Sequence, residues 1–225
     1  MAHVFFPSCK AKADYPVASE KLKAYVNKKF DIDPIGCCRV HHKKLTPNDT
    51  ALVVCNNCAA IIEESGNPGT LKFIWSVIDQ DSDFPFPDYH GEPISIQDCW
   101  IAYEKRELQD TVRSLLKKMH LTVHELAEHH AETRFCGVNL LSPCTPSNAK
   151  LAPKRYVQNG AHMFTPCSET EQIARFQAHC AGISTEQVAC YCKFCRDAIN
   201  MGGKRGVHIL QLLFPDYAEN TKCLR

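Results

Sequence analysis

The spacing of apolar positions changes along the chain, and each spacing predicts a different element. Apolar residues three and four apart are typical of a helix with one buried face. Two such helices are predicted, one through Ala18, Leu22, Tyr25, Val26 and Phe30, the other through Leu108, Val112, Leu115, Leu116 and Met119. Short apolar runs between the helices are typical of buried strands. This alternation predicts an α/β protein built from βαβ units, with parallel strands and right-handed crossovers.

The same order of features occurs twice. FPDY at 86–89 returns at 214–217, and each copy follows an apolar segment, a C-x-x-C pair, a short helical run, a glycine and a β-rich run. The two glycines, Gly66 and Gly202, are expected to end the helical runs. Further upstream, GCCRV at 36–40 aligns with RFCGV later in the chain. The pattern predicts two pseudo-repeated lobes, comprising residues 1–90 and 91–225.

Cysteine is the unusual component of the composition, at 14 of 225 residues, whereas the net charge of +1 gives no argument for binding nucleic acid. No stretch approaches 18 apolar residues, so we expect no membrane insertion. The beginning, MAHVFFPSCKAKADYP, has too short an apolar run for a secretion signal. We therefore expect a cytoplasmic protein, in which thiols serve as ligands of metals or clusters more often than as disulfides.

Nine cysteines form two ordered sets, each member of which follows a predicted strand. The carboxyl ends of parallel strands are where α/β folds place ligands, so each set is expected to converge in loops at one end of its lobe. The first set is Cys9, Cys37, Cys38, Cys55 and Cys58, and the second is Cys99, Cys136, Cys192 and Cys195. Five thiolates exceed the four that tetrahedral zinc takes. Adjacent Cys37 and Cys38 point in different directions, so they are expected to ligate different irons of a cluster. The second set suits either a [4Fe–4S] cluster or zinc, with Phe135 at the position of the paired cysteine.

These motifs resemble the cysteine-rich CCG domain of the catalytic subunit of heterodisulfide reductase, a domain that also occurs in glycolate oxidase iron–sulfur subunits. The resemblance rests on Cys9, GCCR at 36–39 and CNNC at 55–58 in the first half. In the second half it rests on QDC at 97–99, FCG at 135–137, CKFC at 192–195 and the ending GVHILQLLF. Arg39 stands where the family has a glycine, and Phe135 makes the second copy degenerate.

The resemblance implies an oxidoreductase subunit. In that family, five-cysteine motifs hold [4Fe–4S] clusters of a non-cubane type and cleave the mixed disulfide of two thiol coenzymes. The implied partners are flavin or ferredoxin-like subunits that donate electrons, and the implied substrate is a small anionic disulfide. Cys37, Cys38 and Arg39 are the expected catalytic residues. Two alternatives stay open, an electron-transfer subunit of a quinone-linked complex and a non-enzymatic zinc-binding scaffold or assembly factor.

Three further features bear on function. A basic cluster beside the first cysteine set is either an anion-binding surface or a solvated loop: Lys10, Lys12, Arg39, His41, His42, Lys43 and Lys44. HLTVHELAEHH at 120–130 predicts a short helix with Thr122 and Glu125 as a capping box, and His120, His124 and Glu128 as candidate ligands on one face. The remaining cysteines are expected to be structural: Cys144, Cys167, Cys180, Cys190 and Cys223. Among them, Cys144 is the candidate to replace the ligand missing at position 135, and Cys190 is a spare candidate ligand.

Overall fold

A computed structural model gives the fold, and it describes residues 2–67 and 69–216. The protein is α/β, with one parallel sheet of three strands and a second of four. The predicted fold class is therefore confirmed, and so is the placement of cysteines in loops beyond the strands. The predicted duplication and the boundary near residue 90 stay predictions.

The first sheet has the order β1-β2-β3. Its elements, with the helices that connect and follow the strands, are β1 (Ala2–Phe6), α1 (Cys9–Asp14), α2 (Pro16–Phe30), α3 (Cys38–His41), β2 (Asp49–Val53), α4 (Asn56–Ser65), β3 (Thr70–Phe73) and α5 (Ile74–Asp79). Proline at the first position of α2 fits there because that position needs no backbone donor. The buried face of α2 is the one that its apolar spacing predicts.

The second sheet has the order β5-β4-β6-β7. Its elements are β4 (Pro93–Gln97), α6 (Arg106–Lys118), β5 (Thr122–Glu125), α7 (Pro146–Leu151), α8 (Glu169–Ala181), β6 (Gln187–Cys190), α9 (Lys193–Met201), β7 (Arg205–His208) and α10 (Ile209–Leu213). A single turn of π-helix, Lys154–Gln158, follows α7. The long segment between β5 and α8 carries Cys136, α7 and this π-helical turn.

Two local predictions are wrong. Residues 122–125 form β5 instead of a capped helix, because Thr122 and its neighbours pair with β4. The strand predicted before Cys37 is reduced to a single bridge, in which Ile35 donates its N–H to the carbonyl of Phe5 at 2.9 Å. Gly66 and Gly202 both end their helices as predicted, Gly66 in the left-handed conformation at φ 67° and Gly202 at φ −79°. Part of the second FPDY lies outside the described residues.

The two sheets share one continuous buried core. The segment after β5 crosses to the first half, where the backbone N–H groups of Lys154 and Arg155 donate to the carboxylate of Glu64 at 2.7 and 2.8 Å. This contact brings second-half chain onto α4, the helix that carries Cys58. In the part of the chain that the structure describes, no helix has both the length and the apolar character needed to cross a bilayer.

Candidate metal centre

Four thiols from the second half meet in the protein interior. Cys99, Cys136, Cys192 and Cys195 are all buried, and their sulfur atoms all lie within 4.8 Å of one another. The Sγ atoms of Cys99 and Cys136 are 3.4 Å apart. The structure thus brings together the four residues of the second set, and this group could bind a metal.

The fold positions each thiol at the end of a strand or the beginning of a helix. Cys99 follows β4, while Cys192 is the N-cap of α9 and Cys195 lies in its first turn. Cys136 comes from the loop after β5, and Gly137 beside it has φ 48°. A Cβ at Gly137 would collide with the carbonyl of Phe194 in α9, so only glycine lets this loop approach so closely.

Hydrogen bonding and burial shift the pKa values of the four thiols in opposite directions. Hydrogen bonds from Cys136, Cys195 and Cys99 lower the pKa of Cys192 well below its ordinary value. Burial raises the pKa values of Cys136 and Cys195 well above the ordinary value, and it also raises that of Cys99. Cys192 is therefore the thiol of the four whose deprotonated form its neighbours favour most. Metal ions bind the deprotonated form, so a bound cation would replace the thiol protons.

A buried polar network holds the two loops that carry Cys99 and Cys192. The hydroxyl of Tyr191 accepts the N–H of Cys99 at 3.1 Å and donates to Asp98 Oδ1 at 2.8 Å. Asp98 also accepts both terminal nitrogens of Arg113, at 3.2 and 2.7 Å. Burial by itself raises the pKa of Asp98, but the hydrogen bonds and charge of Arg113 outweigh it and hold that pKa below its usual value. This network fixes the orientation of the loops that carry Cys99 and Cys192, as hydrogen-bond partners of metal ligands do.

The five thiols of the first set form a looser arrangement. Cys9 is exposed and Cys37 half-buried, and their side chains hydrogen-bond each other. Cys58 hydrogen-bonds both Cys38 and Cys55, and these bonds lower the pKa values of Cys38 and Cys55. The described residues contain two groupings small enough for a single metal ion, and neither includes a cysteine of this set. The set is therefore spread over more space than the second one, with one end open to solvent.

The two thiol sets lie close enough to interact through space. A negative charge on Cys192 opposes the lowering of the Cys55 pKa by Cys58. Burial raises the pKa of Tyr156, and charges on thiols of both sets add to that rise. The Tyr156 hydroxyl donates to Asn57 Oδ1 at 2.6 Å, inside the first C-x-x-C. The sequence carries no signal for Tyr156, since its segment has no counterpart in the first half.

Arg39, the third expected catalytic residue, is exposed and bridges the halves. Its Nη2 donates to Asn148 Oδ1 of α7 at 2.9 Å, and its charge helps to lower the pKa of Cys38, after the larger effect of the Cys58 hydrogen bond. Phe135 stands at the position of the paired cysteine in the second set. Its ring stacks on that of His179, with 4.2 Å between the ring centroids.

Of the cysteines outside the two sets, Cys190 lies close enough to Cys192 and Cys99 for their charges to raise its pKa, after the larger effect of burial. The thiols of Cys144, Cys180 and Cys190 contact backbone carbonyls, Cys167 is half-buried, and Cys223 lies outside the described residues. The predicted grouping of His120, His124 and Glu128 on one helical face is wrong, because the segment is a strand. Glu125, His129 and His130 come together instead.

In comparisons with known proteins, no family model, curated protein or solved structure matches this chain. The chemistry of the site therefore rests on the chain's own residues.

Proposed function

We propose that this protein is an iron–sulfur oxidoreductase subunit in which the second half carries a single structural metal ion. The observation that carries the metal assignment is the close approach of four buried thiols. A tetrahedral ion with metal–sulfur bonds of about 2.3 Å places its sulfurs about 3.8 Å apart. The measured 3.4 Å for one pair, and the limit of 4.8 Å for all, agree with that size.

The same distances favour zinc over a cubane cluster in the second half. Each thiolate of a [4Fe–4S] cubane binds its own iron at a corner of the cluster, which separates the sulfurs by about 6 Å. The four buried sulfurs would have to move apart within a packed core to admit it. A closed tetrahedral site of four cysteines without an open position is typical of structural zinc.

The first set fits a larger group. Five thiols are present, no three of them are close enough for one ion, and adjacent Cys37 and Cys38 are held at different depths. A cluster bound by these five thiols would supply one-electron steps. The exposed Cys9 end is where an external sulfur compound could approach, whereas Cys38 and Cys58 are buried.

The proposed reaction is reduction of an anionic disulfide. The S–S bond breaks, two electrons from a donor protein and two protons from solvent are taken up, and two thiols leave. Lys10 and Lys12, which follow Cys9 in the sequence, and Lys43 and Lys44, which follow Cys38, are exposed, and they would attract an anion. The guanidinium of Arg39 would orient a carboxylate, phosphate or sulfonate through paired hydrogen bonds.

The metal assignment is tested by analysis of iron, zinc and acid-labile sulfide in anaerobically purified protein. We expect one zinc per chain, together with iron and sulfide. Cys136→Ser should lose zinc and Cys38→Ser should lose iron, whereas Cys180→Ser, a buried thiol outside both sets, should lose neither. A colourless protein with zinc alone would replace this proposal with the zinc-scaffold alternative, which the second-half geometry also supports.

The reaction is tested by disulfide-dependent reoxidation of the reduced protein. Arg39→Ala should retain its iron and lose about 10- to 100-fold in turnover, because one charge-assisted contact is worth about 1.5–3 kcal/mol. Asn148→Ala is the matched control, since it removes only the tether of Arg39. If Asn148→Ala loses as much activity as Arg39→Ala, the arginine serves structure instead of substrate. No reoxidation by any disulfide would leave the electron-carrier alternative.

A further inference from the structure

Two adjacent histidines of the second half, half-buried His129 and buried His130, face each other with their ring nitrogens. Nδ1 of His129 and Nδ1 of His130 are 2.6 Å apart, and the rings are nearly perpendicular, at 78°. A carboxylate oxygen of Glu125 completes a group in which all ligand atoms lie within 4.8 Å. This group is separate from both cysteine sets, and the proposed function makes no use of it.

The protonation of His130 is fixed by a carboxylate on the far side of its ring. Its Nε2 lies 3.2 Å from Asp110 Oδ1, and a carboxylate accepts, so Nε2 carries the proton. The lone pair of Nδ1 is then directed toward His129. Histidines that bind metals nearly always donate their other N–H to a carboxylate or carbonyl, and Asp110 provides that partner.

The backbone holds His130 in a conformation that is uncommon outside glycine. Its φ is 54°, in the left-handed region, and its N–H donates to the buried Asp98 Oδ2 at 2.7 Å. Strained backbone that the surroundings enforce is concentrated at functional sites. This backbone conformation places the His130 ring against His129. His130 lines a cleft of about 610 Å³.

We propose that Glu125, His129 and His130 form a second metal site, which takes a divalent ion of the zinc and cobalt class. Two imidazole nitrogens and one carboxylate oxygen are a ligand set typical of such ions, and they leave a position open for water or an external ligand. The ion replaces the proton that the two histidines share. Bonds of about 2.0–2.1 Å would part the two nitrogens to about 3.3 Å, which a small rotation of half-buried His129 allows.

Arg113 sets the ligand direction of Glu125. Its Nε and Nη2 donate to the two carboxylate oxygens at 2.7 and 2.6 Å, which fixes the plane of the carboxylate. Each oxygen retains a lone pair for the metal. The cleft is lined by four cationic side chains, Arg106, Arg113, Lys117 and Lys118, and by two carboxylates, Asp110 and Glu125, so a cation would be held by the three ligand atoms and not by the net charge of the surroundings.

The test is a titration of the full chain with Co²⁺, after both cysteine sets have been loaded anaerobically. Co²⁺ on nitrogen and oxygen gives visible absorption without the intense sulfur-to-cobalt band of thiolate sites. We expect one further Co²⁺ per chain without that band. His129→Ala and His130→Asn should weaken binding more than tenfold, and asparagine is chosen because it tolerates a positive φ. Asp110→Asn, which removes the outer carboxylate partner of His130 together with an exposed ion pair to Arg106, should weaken it about 10- to 100-fold.

His124→Ala is the matched control, since His124 lies exposed on β5 next to Glu125 but outside the group, and it should bind Co²⁺ as the wild type does. The proposal is overturned if the wild type takes no further Co²⁺, if the added ion shows the sulfur band, or if His129→Ala binds normally. Melting temperatures would show whether His130→Asn still folds. If His130→Asn does not fold, Co²⁺ binding by His129→Ala alone tests the proposal.

Discussion

Replacement of Arg113 by leucine tests the buried network behind the cysteine centre. The side chain of Arg113 is only 9% exposed and that of Asp98 is fully buried. Asp98 accepts hydrogen bonds from Arg113, Tyr191 and the backbone of His130. Without Arg113, the buried carboxylate of Asp98 keeps its hydrogen bonds from Tyr191 and His130. It loses the one positively charged donor of the three.

The expected loss is about 3–5 kcal/mol of unfolding free energy, the usual cost of leaving a buried charge unpaired. Arg106 is the matched control on the same helix, because its pair with Asp110 is 68% and 51% exposed. Exposed pairs are worth about 0–1 kcal/mol, so Arg106→Leu should change stability little.

Urea unfolding at pH 7 with a fixed free zinc concentration is the assay, since bound metal adds to apparent stability. With a slope of about 3 kcal/mol per molar, the midpoint of Arg113→Leu should fall by about 1–1.7 M. Equal midpoints for the two variants would refute the claim that Asp98 depends on Arg113.

Three further outcomes follow from the structure. Gly137→Ala should destabilise the protein and release zinc, because a Cβ collides with α9, whereas Gly203→Ala, with open space and φ 87°, should cost only backbone strain of about 1 kcal/mol in thermal unfolding. Burial lowers the pKa of His208 to about 4, so stability should decline by about 3 kcal/mol as pH falls from 6.5 toward 4, and His208→Asn should flatten that decline in urea unfolding. Tyr191→Phe, which removes a donor from Asp98, should weaken zinc binding about 10- to 100-fold in a chelator competition.

The sequence was sufficient for the parts of the fold that depend on local spacing. Helices α2 and α6 follow their apolar periodicity, because one buried face is enough to define a helix. The second cysteine set converges as expected, since strands of one parallel sheet end at the same edge.

What the sequence did not provide depends on contacts between distant residues. The segment at 120–130 has the charges of a capped helix, but pairing of β5 with β4 outweighs that local preference. Tyr156 is absent from any motif, and only the crossing of its segment to α4 places it between the two thiol sets. The pairing of His129 with His130 depends on a positive φ, which no spacing rule indicates.

The crossing segment also sets an order for synthesis. Asn57 and Glu64 hydrogen-bond to residues 99 and 91 positions later in the chain. At about 5–20 residues per second, the ribosome takes about 5–20 s to deliver those partners after α4 has been made. During that interval the first C-x-x-C lacks its cover and its neighbouring thiol group. The first five cysteines therefore reach their final surroundings only after about half of residues 91–225 has been translated, and that site matures well after its own ligands have been synthesised.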